Sequence, residues 1–439
     1  MIPVLTLLAA ALWDRPFTVD RPAEVTATVA ARCGGCSWAS PTKTAAVLIL
    51  EVDGRYSQHL PVMRGEGPTE YAVSLGRLAA GRHRLGIRLD RGWTPKAVRE
   101  VSIPDVRTAI VAEDAPEYRA LAFAPVLHPR PNELGRFTDV PLVMWYETDA
   151  TPRGTRLRYS VIFSNEDGGT PADRLLATWG RLTDIEYVLG IEFDREGRVL
   201  EATYQAKDHK IVPYRGLAPG RHPPLWVITD NNMVSDSGKT RPVYAPVPVP
   251  FDLATTSREA VMDAEPWTYQ VSSQEAQREG RVDESPRPGS HRIFDPRRYV
   301  YVEACAETRD ASLTLGIAVD GRDGLRWAES DAGQSEYRII RRSSEFPNGC
   351  FRAAVALPAD ATNASVRALR FRAYTRTPAK GEPPLPAGTG AARIVRVNHL
   401  FRLGPDYLPG ADLFSWRGDL PLVVDGDPAT LLVSTSSRP

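Results

Sequence analysis

The stretch Asp184-Ile185-Glu186-Tyr187-Val188-Leu189-Gly190-Ile191-Glu192-Phe193-Asp194-Arg195-Glu196-Gly197-Arg198-Val199-Leu200-Glu201-Ala202-Thr203-Tyr204 reads as two strands joined by a turn. Ile185, Tyr187, Leu189, Ile191 and Phe193 recur at every second position, the period of a strand with one buried face. Asp194-Arg195-Glu196-Gly197 supplies the turn, and Leu200, Ala202 and Tyr204 resume the alternation. A four-residue loop predicts Ile191 opposite Leu200, Leu189 opposite Ala202 and Tyr187 opposite Tyr204. Both strands then agree on the core face, which pins the register.

The same period recurs on either side. Val25 to Val29, Ala45 to Val52, Tyr71 to Leu75 and His83 to Leu89 read as strands of an N-terminal block. About seven strands in a hundred residues suit a two-sheet sandwich. Leu157, Tyr159, Val161 and Phe163 alternate before the hairpin; Leu313, Leu315, Ile317 and Val319, then Leu369, Phe371 and Ala373, do so after it. Arg393 to Val397 adds a further strand. The 38 prolines and 33 glycines fall between short segments, as turn-rich β folds require. The expectation is an all-β, multidomain chain: a β-sandwich over 14–115, a central β-rich domain over 116–255 and a C-terminal β-sandwich with tail over 293–439. Residues 256–292, rich in Arg, Glu, Gln, Ser and Pro, read as a linker or surface excursion with one short helix near Ser273 to Glu279.

Composition bounds the function. At 439 residues the chain can bury several cores without metals. Lys plus Arg equals Asp plus Glu, at 54 each, so no broad field steers it toward nucleic acid, and no such partner is expected. The opening apolar run, residues 1–13, is too short to span a bilayer, which takes roughly 20 residues. It reads either as a secretion-signal remnant or as a first strand. No later run is long enough to be a transmembrane segment.

Four cysteines bear on the compartment. Cys33-Gly34-Gly35-Cys36 is compatible with a local disulfide, zinc completed by distant ligands, a redox dithiol or free thiols. The sequence after it leads into a strand rather than the helix a redox dithiol favours, and a second close pair for zinc is missing. Cys305 with Cys350 forms a natural second disulfide if the protein is secreted or displayed at the cell surface.

Site chemistry concentrates in the central block. Strict alternation puts Asp184, Glu186 and Glu192 on the face away from the core, with Asp208 and His209 at the end of the second strand. Thr229-Asp230-Asn231-Asn232-Met233-Val234-Ser235-Asp236 follows another strand as a dense run of oxygen-bearing side chains. Such a run builds turns by default. It also offers hard ligands, so Asp184, Asp230 and Asp236 are a possible site for a divalent cation such as calcium. Asp184, Glu186 and His209 are the catalytic candidates, as paired carboxylates with a nearby base. Asp208, His222, Asn231, Asn232 and Trp145 are ligand-binding candidates, Trp145 as an aromatic platform for a sugar. No nucleophile elbow, zinc-protease, phosphate-loop or dinucleotide motif occurs.

Part of this block resembles the vacuolar protein sorting-associated protein 62-like family. The resemblance rests on Phe123-Ala124-Pro125-Val126-Leu127, Leu157 to Phe163, Asp184-Ile185-Glu186 and Thr203-Tyr204 through His209, about a quarter of the chain. Ile185 stands where an aromatic residue is more typical, and Asp230-Asn231-Asn232 replaces a Ser- and His-rich ending. The resemblance implies an all-β domain and no settled activity. Three readings follow: an exported β protein binding carbohydrate or cell-surface material, a secreted hydrolase of glycans or esters using Asp184, Glu186 and His209, or a structural surface protein.

Overall fold

A computed structural model describes residues 11–65, 67–131, 139–166, 169–215, 217, 222–340, 348–379 and 381–433. Most of the opening apolar run therefore lies outside the described residues. Strands account for 49% of the structure and helices for 10%, so the fold is all-β. No described helix is long and apolar enough to cross a membrane. The chain divides into two compact units, residues 1–167 with 183–251, and residues 168–182 with 252–439.

In the first unit, seven strands from Trp13 to Val111 build the expected sandwich. One sheet runs Trp13–Val19, Gly81–Leu89, Ala46–Val52, Arg55–Val62; the other runs Thr69–Leu78, Ala23–Gly34, Glu100–Val111. Their alternating apolar positions, among them Val25, Ala27, Val29, Leu48, Leu50, Leu85 and Ile87, merge into one core. Each such Val, Leu or Ile side chain stabilises the fold by about 1.5–3 kcal/mol on burial. Cys33 and Cys36 are disulfide-bonded within this core across a turn in which Gly35 takes φ +73°. The local clip is thus the observed state of the Cys-Gly-Gly-Cys pair.

The central block is a six-stranded sheet in the order Lys210–Pro213, Val199–Ala206, Asp184–Asp194, Gly154–Phe163, Pro141–Thr151, Val249–Pro250. A smaller sheet holds Val234–Ser235, Pro224–Val227 and Val126–His128. The sequence boundary near residue 115 does not divide this unit. Val243 O accepts from His59 N at 2.8 Å, Ala245 O accepts from Ser74 N at 2.8 Å, and Tyr244 exchanges backbone bonds with Leu127. The segment carrying Val243 to Ala245 ties the N-terminal strands to the central block.

The central hairpin forms, but two residues out of the predicted register: Ile191 faces Ala202 and Glu192 faces Glu201. The turn closes through Arg198, whose carbonyl accepts from Asp194 N at 2.9 Å. Phe193 then pairs with Val199, leaving Leu200 unpaired in a bulge and 43% exposed. A shift by two preserves the faces, so Ala202 and Tyr204 are still buried.

The second unit is a sandwich of two sheets around one core. The first runs Cys350–Ala356, Tyr299–Arg309, Ala391–Arg402, Trp416–Leu422; the second runs Gly324–Glu329, Ala311–Gly321, Val366–Thr375, Ala429–Leu432. Cys305 lies directly opposite Cys350 on adjacent strands and is bonded to it. Of the expected excursion over 256–292, residues 279–292 are exposed or half-buried, but the part before them is packed. Helices Ala260–Ala264 and Trp267–Arg278 bury Val261, Met262, Tyr269 and Val271. A third helix, Ala172–Trp179, enters this unit from inside the central block of sequence. It ends at Gly180, whose φ of +59° and close approach to the Arg352 side chain exclude a Cβ.

Candidate functional site

A bulge decides where the central acids point. Tyr159 pairs with Leu189, but Ser160 pairs with Tyr187, so Val188 is an extra residue. Beyond it, Val161 faces Glu186 and Phe163 faces Asp184. Directly paired residues share a sheet face. Asp184 and Glu186 therefore turn onto the face of Leu157, Tyr159, Val161 and Phe163, while Glu192, paired with Arg156, stays on the other. Strict alternation had grouped all three acids away from the core, and the bulge breaks that grouping.

Both acids are buried, Asp184 at 1% exposure and Glu186 at 8%. Each accepts from a side-chain amide. Asn232 Nδ2 donates to Asp184 Oδ2 at 2.9 Å and to Asn165 O at 2.8 Å. Gln205 Nε2 donates to Glu186 and lies 3.4 Å from Met233 Sδ. Asn232 takes φ +52°, closing a turn in which its N–H donates to Thr229 O at 3.1 Å. Thr229 Oγ1 donates to Asn231 Oδ1 and accepts from Met233 N. The Asp-Asn run thus builds a turn, and one member of it reaches a buried carboxylate.

The remaining predicted residues do not converge with this pair. His209 and Asp208 are exposed, with φ values of +56° and +61°, on the single helical turn Lys207–His209. Asp230 is exposed and pairs with Arg130, which also holds buried Asp139. Asp236 accepts from Tyr204 Oη at 3.2 Å. Among the described residues no group of three or more His, Cys, Asp and Glu could hold a metal ion, so Asp184, Asp230 and Asp236 do not form the expected cation site. Trp145 is fully buried and donates from Nε1 to Glu147 at 3.2 Å, which removes it as a sugar platform. His222 finds its carboxylate in Glu24, at 3.0 Å from Nε2, and its Nδ1 meets Ala124 O at 3.0 Å.

A pocket of about 340 Å³ lies elsewhere, on the second unit. Arg396, Val397 and Asn398 line it from one strand, Ser415, Trp416 and Arg417 from the edge strand and the residue before it. In register, Val397 faces Trp416 and Arg396 faces Arg417. Trp416 is half-buried: it packs against the sandwich core and also lines the pocket. Gly418 leaves room for its ring, since a Cβ there would sit 2.4 Å from it. Arg396 Nη2 donates to Thr255 O at 2.9 Å and lies 3.3 Å from Cys305 Sγ. Asn398 Nδ2 donates to Thr255 O and to Glu303 Oε1, at 3.0 and 2.7 Å. Two residues that line the pocket are thereby tied to the disulfide and to the backbone at Thr255. Arg393 to Val397 was readable as a strand, but Trp416 fell in the tail, and no local motif pairs the two.

No family model matches the sequence and no curated protein matches it. Solved structures similar in part include one described as EclA C-terminal domain, a sugar-binding protein, at 15% identity over 23% of this chain and 68% of that one, with a TM-score of 0.18. Another is NLPPya in complex with mannosamine, at 11% identity over 32% of this chain and 75% of that one, with a TM-score of 0.22. Overlap this loose does not transfer a binding site.

Proposed function

We propose that the protein is an exported, non-catalytic β protein that binds carbohydrate at the pocket beside Trp416. The observation that carries this reading is the set of residues lining that pocket: guanidinium, amide and hydroxyl side chains at Arg396, Arg417, Asn398 and Ser415, with half-buried Trp416 on the core-facing side of the edge strand. A sugar presents a rim of hydroxyls, so a pocket lined by hydrogen-bonding groups suits it. Two disulfides fit an oxidising compartment, consistent with export.

The hydrolase reading has less support. A hydrolytic pair needs oxygens that reach substrate and a base within hydrogen-bond range. Asp184 and Glu186 are buried and engaged by Asn232 and Gln205, and His209 stands on an exposed turn. The test is a glycan array probed with the wild-type protein and with Trp416→Ala. Binding to a defined glycan set that the variant loses supports the reading. Glycan binding that Trp416→Ala leaves unchanged, or none at all, overturns it.

A further inference from the structure

Arg396 and Arg417 are directly opposed on adjacent antiparallel strands, where Cβ atoms stand roughly 5 Å apart. Like charges so placed repel unless something negative lies between or beside them. Among the described residues neither arginine has a carboxylate ion-pair partner. The acids on nearby strands and turns are committed to other cations: Glu303 to Arg352, Asp412 to His399 and Asp419 to Arg393. Arg396 also keeps a buried Nε–H that meets no acceptor among the described residues. Its Nη2 is held by Thr255 O, so the guanidinium is oriented before any ligand arrives. Two cations without counter-ions, one of them anchored, both line the same pocket as Trp416 and Asn398.

We propose that this pocket selects acidic saccharides and that Arg396 and Arg417 bind the carboxylate of a uronic acid. The proposal rests on the carbohydrate reading above and narrows it to one substrate class. A guanidinium meets a carboxylate through two parallel N–H···O bonds, and such charge-assisted bonds are about twice as strong as neutral ones. Arg417, exposed at the sheet edge, supplies the solvent-facing partner, and Arg396 supplies the anchored one. Asn398 serves the ring hydroxyls, acidic or neutral, and Trp416 supports the edge strand from its core-facing side. Esterifying the carboxylate removes the charge and leaves the sugar ring.

The experiment is calorimetric titration of the full chain with tetragalacturonate and with its fully methyl-esterified form, at low and high salt. Wild type is expected to bind the acid about tenfold or more tighter than the ester, with a preference that shrinks as salt rises. Arg417→Gln, a surface change that leaves the core untouched, is expected to bring the two within about threefold by weakening the acid alone. Arg396→Lys keeps a cation but loses the paired donors and is expected to weaken the acid as well. Equal binding of acid and ester in wild type, with both lost in Trp416→Ala, overturns the acidic selectivity and leaves the carbohydrate reading standing. An acid preference that Arg417→Gln does not change also overturns it. Inorganic phosphate displacing the acid at equal concentration, with the ester failing to bind, marks a plain anion pocket and overturns both.

Discussion

Asn232 and Asp184, 48 positions apart, meet through a side-chain hydrogen bond of 2.9 Å between two residues that are each 1% exposed. The bond depends on two departures from regular geometry. Val188 bulges and turns Asp184 inward, and Asn232 takes a left-handed φ that places its amide against the carboxylate. Asn tolerates that backbone better than most residues. A bulge and a strained turn thus converge on one buried acid.

Replacing the amide tests this convergence. Asn232→Gly keeps the backbone conformation and removes a donor to a buried carboxylate, a loss of about 1–3 kcal/mol. Asn232→Asp sets a second carboxylate against the first and is expected to cost more, about 3–5 kcal/mol near neutral pH. Urea denaturation at neutral pH separates the two. Equal stabilities at neutral pH would show that the amide does not face a charged Asp184.

Much of the fold was legible because it rests on period two. The N-terminal strands and the alternation from Leu313 to Val319 follow from side chains repeating across a pleat, and the pairing of Cys305 with Cys350 follows from the cysteine count and an oxidising compartment. What was not legible depends on breaks in that period or on distant partners. Val188 looks like any strand residue, and only its lack of a partner on the neighbouring strand makes it a bulge. The helix Trp267–Arg278 is rich in polar residues yet buries Thr268, Ser272, Ser273 and Glu275, so its composition reads as solvated. The pocket was hidden for another reason: Arg396 and Arg417 acquire meaning only once their strands pair.

Glu192, on the face opposite Asp184, is expected to contribute to stability in acid. Arg153 holds its carboxyl down to about 2, with Thr151 and Arg156 adding further hydrogen bonds. A depressed carboxyl contributes stability that is present above its ordinary value of 4.5 and lost as pH falls through its folded value. Wild type is therefore expected to lose stability between pH 4.5 and about 2 more steeply than Glu192→Gln. Urea midpoints across that window check it, and parallel curves for the two proteins would dismiss the role.

Arg352 anchors the second unit from a fully buried position. It lies opposite Glu303 in register, bonds it at 2.6 Å, and reaches Asp263 at 2.7 Å. Ser257 and Asn398 donate to the same glutamate, at 2.8 and 2.7 Å. Removing the cation leaves buried negative charge uncompensated, so Arg352→Met is expected to destabilise by about 3–5 kcal/mol. Arg352→Met with Glu303→Met removes the orphaned charge too and is expected to lose less than the single change. Chemical denaturation reads both. A double variant as unstable as the sum of the single ones would mean that packing, not charge, sets the cost.

His59 and His399 should titrate on opposite sides of the ordinary histidine value of 6.5. Burial pushes His59 down, against the pull of Asp90 at 3.2 Å. Tyr56 Oη accepts from Val243 N and lies 2.7 Å from His59 Nδ1, an arrangement that suits a neutral ring with its proton on Nε2 toward Asp90. Its contribution to stability is present above the ordinary value and lost as pH falls through the folded one. His399 is raised by Asp412, 2.9 Å from Nδ1, so its contribution is full below the ordinary value and lost as pH rises through the folded one. Following the imidazole resonances by NMR as pH is varied should show two transitions flanking 6.5. Asp412→Asn should bring the His399 transition down toward that value and leave His59 unmoved. If His399 keeps its raised transition in that variant, Asp412 is not the group that stabilises its imidazolium.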